Sequence, residues 1–320
     1  MSSPLVSVLL PVRNAAATLS AALDSVLAQT FGDFEVIAVD DGSTDESAAI
    51  LRQFADREPR IRLVSTPAIG TTPALNLAAS RAAGRYFARQ DADDLSMPSR
   101  FARQVEALDG RATLGAIGTA AMAINHAGET VARFPTRHGT AAVHEGLRTA
   151  LATPVHGSMM IRREAFEAAG GYRDAFVASQ DFDLWLRLIE RCRLDNLEEP
   201  LYHWRVSAGA VHGERRWRQL MFGGIALAFS AERARVGADS YALLERSGGD
   251  LVAFSEEYRL GGQTRAIWGE LLLRAGCEPA LAHEHFVAAL RLRPRSPRAL
   301  VGWAWTALGL GWPGGKPIRA

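Results

Sequence analysis

The sequence predicts an α/β protein with a doubly wound, mainly parallel sheet, followed by a helical C-terminal segment. Three observations carry that prediction. Short β-prone runs alternate with helix-spaced apolar residues from Val6 to Arg89, acidic groups recur where those runs end, and strand signals fade after Arg205. Ligands of such sheets bind beyond the carboxyl ends of the strands, where Asp40-Asp41 and Asp91-Ala92-Asp93 fall.

Val6-Ser7-Val8-Leu9-Leu10 reads as a strand closed by Pro11, and Leu19, Ala22, Leu23, Val26 and Leu27 give helical spacing within Thr18 to Gln29. Phe34 to Val39 repeats the strand signal. Ser43-Thr44-Asp45-Glu46 matches a capping box for a helix carrying Ala49, Ile50 and Phe54. Ile61 to Val64 and Thr72 to Ala83 form a third strand and helix, and Tyr86 to Arg89 a fourth strand. Ala116 to Ile124 and Glu129 to Phe134 read as strands around the turn Asn125 to Gly128. Leu184, Trp185, Leu188 and Ile189 give one apolar face to a helix from Phe182 to Cys192, with Ser179 as its cap. Beyond Arg205, helices are expected at Arg215 to Arg235, Glu256 to Ala275, Pro279 to Leu292 and Pro297 to Leu308, so two domains are expected, 1–210 and 211–320.

A formal net charge of +1 argues against a nucleic-acid partner, which selects for a strong basic excess. The balance is uneven. Residues 1–210 hold 21 Arg against 25 Asp+Glu, whereas 211–320 hold 15 Lys+Arg against 10. Cys192 and Cys277 stand apart without metal-type spacing and read as buried free thiols. The N-terminus lacks the charged region of a signal peptide, and no apolar run reaches the roughly 18 residues of a spanning helix, so a cytoplasmic location is expected.

Asp91 and Asp93 flank the small Ala92, and in extended chain residues i and i+2 point to one side, where they can share a hard divalent cation with phosphate oxygens. Spacing alone serves an acidic turn as well. Asp40 and Asp41 follow a wholly apolar run beside Pro11 and Arg13, where a carboxylate can accept the imide N–H of a uracil or thymine; turn formation is the competing use. Asp181 falls in the first turn of a helix, where the macrodipole favours its anion, and an ionised carboxylate facing a cleft can act as general base.

In order and spacing, Val6-Ser7-Val8-Leu9-Leu10-Pro11-Val12-Arg13-Asn14, Val39-Asp40-Asp41-Gly42-Ser43-Thr44-Asp45, Arg89-Gln90-Asp91-Ala92-Asp93-Asp94 and Asp181-Phe182-Asp183-Leu184-Trp185-Leu186-Arg187-Leu188 together resemble glycosyltransferase family 2 over residues 4–208. The resemblance implies a GT-A fold, a Rossmann-like architecture with a mixed, mainly parallel sheet. It further implies a nucleotide-diphosphate sugar donor of UDP or dTDP type, Mn2+ or Mg2+ as cofactor, and inversion at the anomeric carbon. The acceptor hydroxyl would belong to a carbohydrate, lipid-linked or protein-linked molecule in surface polysaccharide or glycoconjugate synthesis. Residue by residue, the resemblance puts Pro11, Arg13 and Asp41 around the nucleotide with Asp40 nearby. Asp93 would coordinate the metal directly, Asp91 would serve metal and sugar nucleotide, and Asp181 would be the base. His156 falls where relatives face the acceptor and Arg205 near the diphosphate; a satisfied loop histidine and a surface arginine are the competing readings.

Two departures matter. Gln180 stands where the family most often has Glu, and Arg215-Arg216-Trp217 lacks the leading Gln of the processive Gln-x-x-Arg-Trp signature, so transfer of a single sugar is expected. Rival readings are nucleotidyl transfer and a degenerate sugar-nucleotide domain serving as a helical interaction module. From Arg291 to Ala320 six basic residues and no acidic ones accompany Trp303, Trp305 and Trp312, a composition that suits contact with an anionic membrane at its inner face, or packing of a last helix.

Overall fold

The computed structural model describes residues 3–150, 152–206, 214–246 and 249–250, and between 283 and 308 residues 283–284, 286–287, 290, 295 and 297–308. The chain divides into two compact units, Met1–Val211 and His212–Ala320. The expected helix from Glu256 to Ala275, Cys277 and Trp312 lie outside the described residues, and Pro279 to Leu292 is described only in part.

The first unit opens with β1 (Val6–Val12), α1 (Leu19–Leu27), β2 (Phe34–Asp41), α2 (Ser47–Arg57), β3 (Ile61–Thr66), α3 (Thr71–Arg81) and β4 (Tyr86–Arg89). β3, β2, β1 and β4 lie side by side, all parallel. Val36-Ile37-Ala38-Val39 is buried throughout, as a parallel strand covered on both faces requires. Two strands run further than the sequence reading. β1 continues through Pro11 because β4 ends at Arg89, opposite Leu9; the side on which proline lacks its N–H no longer has a partner strand. β2 continues through Asp40 and Asp41, which pair with Ser65 and Thr66 of β3.

The second half of the sheet is mixed. β5 (Leu95–Ser96) and α4 (Arg100–Gly110) precede the long β6 (Leu114–Ile124) and β7 (Thr130–Phe134); α5 (Thr140–Thr149), β8 (Met160–Arg162), α6 (Arg163–Ala168), α7 (Gln180–Leu188) and β9 (Arg193–Arg205) follow. The order is β3-β2-β1-β4-β8-β6-β9-β5, with β7 on β6. β8 is antiparallel to both β4 and β6, and β6 and β9 are parallel with register shifts. This crossing places the carboxyl end of β4 next to the segment entering β8.

The expected capping box does not form. Ser43 Oγ instead accepts the Asn14 N–H, and the Asp45 carboxylate takes the Ser47 N–H at the head of α2 (2.9 Å). Ser179 sits before α7 in left-handed conformation (φ 53°) without a side-chain cap bond. Cys192 is a free thiol pushed up to about 11, chiefly by burial.

The second unit contains α8 (Glu214–Val236), α9 (Tyr241–Arg246) and α10 (Pro297–Ala307). Phe222, Ile225, Phe229 and Leu244 are buried there, and the Phe229 and Tyr241 rings meet edge to face at 6.3 Å. Among the described residues no helix is long and apolar enough to cross a membrane.

Glu35 ties the sheet to its connections. Its carboxylate accepts bonds from the Ser7 hydroxyl (2.7 Å), the Ala83 N–H (2.6 Å) and Arg62 Nη1 (2.9 Å), and the Ser7 hydroxyl in turn accepts the Gly84 N–H. Burial pushes the Glu35 carboxyl up, but Ala83, Ser7 and Arg62 outweigh it and hold the pKa below its ordinary value. The group therefore stabilises the fold fully above the unfolded carboxyl pKa, and that stability is lost as pH falls through the depressed folded value. Glu35→Gln should lower urea-unfolding stability by about 1–3 kcal/mol at neutral pH, with the gap to the parent chain shrinking on acidification below the ordinary glutamate pKa.

Candidate active site

At the carboxyl ends of β1, β2 and β4 lies a cleft of about 900 Å³. Its upper wall is the loop after β1, stitched to the loop after β2: the Thr44 N–H donates to Asn14 Oδ1 (2.8 Å), the Ala16 N–H to Asp45 Oδ2 (3.0 Å) and the Ala15 N–H to Ser47 Oγ (2.8 Å). Asn14 takes a left-handed φ of 50° to make this turn. Pro11, Arg13 and Asp41 line the cleft as the sequence led us to expect. Asp41 is buried and largely engaged: Oδ1 accepts the Ile69 N–H (2.6 Å), Oδ2 the Gly70 N–H (3.0 Å), and Arg13 Nη1 stands 3.9 Å away. Gly42 is required here, since its φ is +66° and a Cβ would lie 2.7 Å from the Ala68 nitrogen. Asp40 is buried, accepts the Ser43 N–H (3.2 Å), and does not line the cleft. Successive strand residues face opposite sides, which separates it from Asp41.

The floor is the acidic turn after β4. Its scaffold is Arg100, fully buried, whose guanidinium donates to Gln104 Oε1, Gln90 Oε1, Ser96 Oγ and the Arg89 and Met159 carbonyls. Burial pulls the Arg100 pKa down to about 10, opposed by Tyr202 and by the nearby Asp91 and Asp94. Gln90 Nε2 donates to the Asp91 and Asp94 carbonyls (both 3.0 Å), so the same network fixes both ends of the turn. Asp91 is held by Arg89 Nη2 (2.5 Å), and its N–H donates to the Tyr202 phenol (3.2 Å). Asp94 Oδ1 accepts the Arg205 N–H (2.7 Å). Oδ2 closes no well-formed hydrogen bond, although the Tyr202 phenol lowers the pKa of the group. Burial first, then Asp91 and Asp93, push the Asp94 carboxyl up to about 8.

Asp93 is exposed in the cleft and its carboxylate accepts no hydrogen bond from another described residue; partial desolvation and then the charge of Asp91 raise its pKa. Among the described residues no group of three His, Cys, Asp or Glu could hold a metal. The surplus charge on this turn nevertheless fits a divalent cation that completes its shell with ligand oxygens. Beside the turn Arg205 Nε and Nη1 donate to the carbonyls of Asp93, Asn125 and His126 (each 2.7 Å), and Nη2 makes no hydrogen bond to another described residue.

Asp181, at the start of α7, and His156, in a short 3₁₀ turn, do not line this cleft. Both nonetheless sense Arg89, and Asp181 also senses Asp91, which puts them near the acidic turn. Asp181 departs from the expected easy ionisation: burial raises its pKa, with Asp91 adding to the rise, and the N–H groups of Phe182 and of Asp181 itself only partly oppose it. His156 Nε2 and the Tyr172 phenol share a hydrogen bond (2.8 Å), and burial followed by Arg89 holds the imidazole well below its ordinary pKa. It is a neutral ring, edge to face with Trp185 at 5.9 Å. Asp183, fully buried, accepts Arg187 Nε (3.0 Å) and Nη2 (2.7 Å) on Oδ2, and Arg187 Nη1 ties α7 to the Ala169 and Gly171 carbonyls.

The structure thus gathers Pro11, Arg13, Asp41, Asp91, Asp93 and Arg205 around one cleft and leaves Asp181, His156 and Asp40 outside its lining. Sequence reasoning missed Arg89, Gln90, Arg100 and Tyr202. Only the Arg89-Gln90 pair carried a signal, as a charged and a polar residue where an apolar strand ends.

Comparisons with known proteins bear on this arrangement. Residues 7–170 match the model of glycosyl transferase family 2, a match that ends before Asp181 and Arg205. The chain is 36% identical over 215 residues to the putative glycosyltransferase EpsE of Bacillus subtilis, covering 65% of this chain and 76% of the relative. It is 28% identical over 211 residues to the O-antigen biosynthesis glycosyltransferase WbnJ of Escherichia coli, covering 63% and 80%. Among solved structures, S. aureus TarS 1-349 in complex with UDP-GlcNAc superposes with a TM-score of 0.62 at 14% identity, covering 97% of this chain and 93% of that one. The mannosyltransferase PcManGT of Pyrobaculum calidifontis, in complex with GDP-Man and Mn2+, superposes with a TM-score of 0.56 at 22% identity, covering 97% and 81%. At these identities the solved structures establish the fold: the α/β GT-A architecture with a helical C-terminal part expected from the sequence.

Gly157 passes so close to the acidic turn that an added Cβ would strike the Tyr202 phenol and lie 2.8 Å from Asp91 Oδ2. Gly157→Ala should cost about 1–3 kcal/mol through overpacking. Adding Tyr202→Phe, which removes the struck oxygen, should recover part of that loss in thermal unfolding; full additivity of the two changes would contradict the contact.

Proposed function

The chain belongs to glycosyl transferase family 2 and is a glycosyltransferase, and from that premise we propose that it moves a single sugar, with inversion, from a UDP- or dTDP-linked donor to an acceptor hydroxyl in surface polysaccharide synthesis. The observation that carries the donor reading is the presence, in one cleft, of the Asp93 carboxylate and of Arg205 Nη2, neither of which bonds another described residue. A guanidinium beside a cation-binding carboxylate suits a diphosphate. Asp93, with Asp91 beside it, would hold Mn2+ or Mg2+. Such a cation offsets the charge that develops on a departing diphosphate. Pro11, Arg13 and the remaining lone pair of Asp41 would meet the base, whose imide N–H is the donor we assign to Asp41. Asp40 would act from outside the cleft, by fixing Ser43.

On the far side of Asp91 the acceptor hydroxyl would meet Asp181. That carboxylate takes the proton as the oxygen attacks the anomeric carbon, and a pKa raised toward the working pH makes it a stronger base than an ordinary aspartate. His156, neutral and held by Tyr172, would offer hydrogen bonding to the acceptor without adding charge. Relatives named for O-antigen biosynthesis and the structures named with UDP-GlcNAc and GDP-Man support the substrate classes. In the same reading the basic 291–320 segment meets an anionic membrane at the cytoplasmic face, where a lipid-linked acceptor would be presented.

Calorimetric titration with UDP, dTDP and GDP, each with and without Mn2+, tests the donor half. We expect metal-dependent binding of a pyrimidine nucleotide that Asp93→Asn abolishes and Asp181→Asn retains, while Asp181→Asn loses at least about a hundredfold in sugar transfer. Full transfer by Asp181→Asn would remove the base assignment, and tighter binding of GDP would overturn the pyrimidine assignment.

A further inference from the structure

A second cavity, of about 390 Å³, opens beside the acceptor side of the site, between the end of β7 and the segment leading into the His156 turn. Phe134, Thr136, Arg137 and Thr153 are among its lining residues. Register connects it with the chemistry. On β6, Ala121 stands opposite both Phe134 of β7 and Tyr202 of β9, and Ala123 opposite Trp204. Residues two apart share a face, so Phe134, Tyr202 and Trp204 lie on one side of the sheet. Along that side, Tyr202 touches Asp91 and Gly157, and Trp204 meets Phe134 edge to face with ring centroids 5.1 Å apart. Thr153 is three residues before His156, within about 11 Å even for extended chain.

We propose that this cavity is a saccharide subsite: it takes a sugar unit of the acceptor remote from the reacting hydroxyl, so the preferred acceptor is an oligosaccharide. This rests on the glycosyltransferase reading above. The half-exposed Phe134 ring, steadied by Trp204 packed against it, presents apolar surface to the C–H face of a pyranose. The hydroxyls of Thr136 and Thr153 and the guanidinium of Arg137 ring the same space with donors and acceptors, the combination of apolar wall and few polar groups that orients a ligand. Neither Phe134 nor Thr153 touches the donor cleft.

The test is binding of the fluorescently labelled full chain to an array of hexose and N-acetylhexosamine glycans running from monosaccharides to longer oligomers in α and β linkages, with hydrolysis of UDP- and dTDP-sugars measured in parallel. Oligomers should be retained above their own monosaccharides. Phe134→Ala, and Phe134→Leu, which keeps bulk but loses the ring face, should weaken that retention on the order of tenfold while donor hydrolysis is unchanged. Equal retention of monomers and oligomers, no glycan retained, or unchanged retention by both variants would overturn the subsite. Length-dependent retention without any donor hydrolysis would leave the subsite standing and defeat the UDP- or dTDP-sugar donor reading, so the two failures are distinguishable.

Discussion

A cation buried without a carboxylate of its own organises this molecule. Arg100 is removed from water and bonded only to neutral oxygens, an arrangement that costs several kcal/mol in desolvation unless every donor finds a partner and negative charge lies near. Both conditions are met by what surrounds it. Its bonds to the Arg89 and Met159 carbonyls lock the end of β4 to the entry of β8, and Gln90 passes the constraint on to the carbonyls of Asp91 and Asp94. The negative charge is the acidic turn itself. Scaffold and site therefore stabilise one another: the carboxylates make a buried arginine tolerable, and the arginine holds in place an acidic turn in which burial first, then Asp91 and Asp93, lift Asp94 to about 8.

In the proposed reading the donor groups line the cleft and the acceptor groups do not, and the sheet changes character between them at β4. Up to β4 every pairing is parallel, which sends the loops after β1, β2 and β4 to one rim and builds the cleft. β8 runs against both β4 and β6, while β6 and β9 share the direction of β4, so the His156 turn that enters β8 lies next to the end of β4. Arg89 links the two groups: it bonds Asp91, lines the cleft, and adds to the burial that depresses His156. In the proposed reaction this partition keeps the proton-accepting carboxylate apart from the metal-binding one while both stay near Asp91.

How much of this was legible in the sequence follows from which forces are local. The elements up to β4 were readable because continuous apolar runs and helical spacing leave little choice of structure. The continuation of β2 through Asp40 and Asp41 was not, since pairing with Ser65 and Thr66 is a long-range event that no local preference reports. β9 was missed because Arg193–Arg205 is polar, contains Pro200 and pairs with register shifts, and β8 because three residues carry no period. Ser43 resembled a cap until Asn14, remote in sequence, claimed its hydroxyl. The cleft residues themselves were visible as types and spacings. What surrounds them was not: Arg100 reads as a surface arginine, and the first-turn position of Asp181 suggested easy ionisation where burial decides the opposite.

The most direct measurement is anomalous diffraction at the manganese edge from crystals grown with Mn2+ and UDP or dTDP. The account predicts one manganese peak beside Asp93, with the diphosphate between it and Arg205 and the base near Asp41. Nucleotide in the cleft with manganese bound elsewhere, or a metal on Asp93 with the nucleotide in another pocket, would contradict the claim that this turn and this cleft form one donor site.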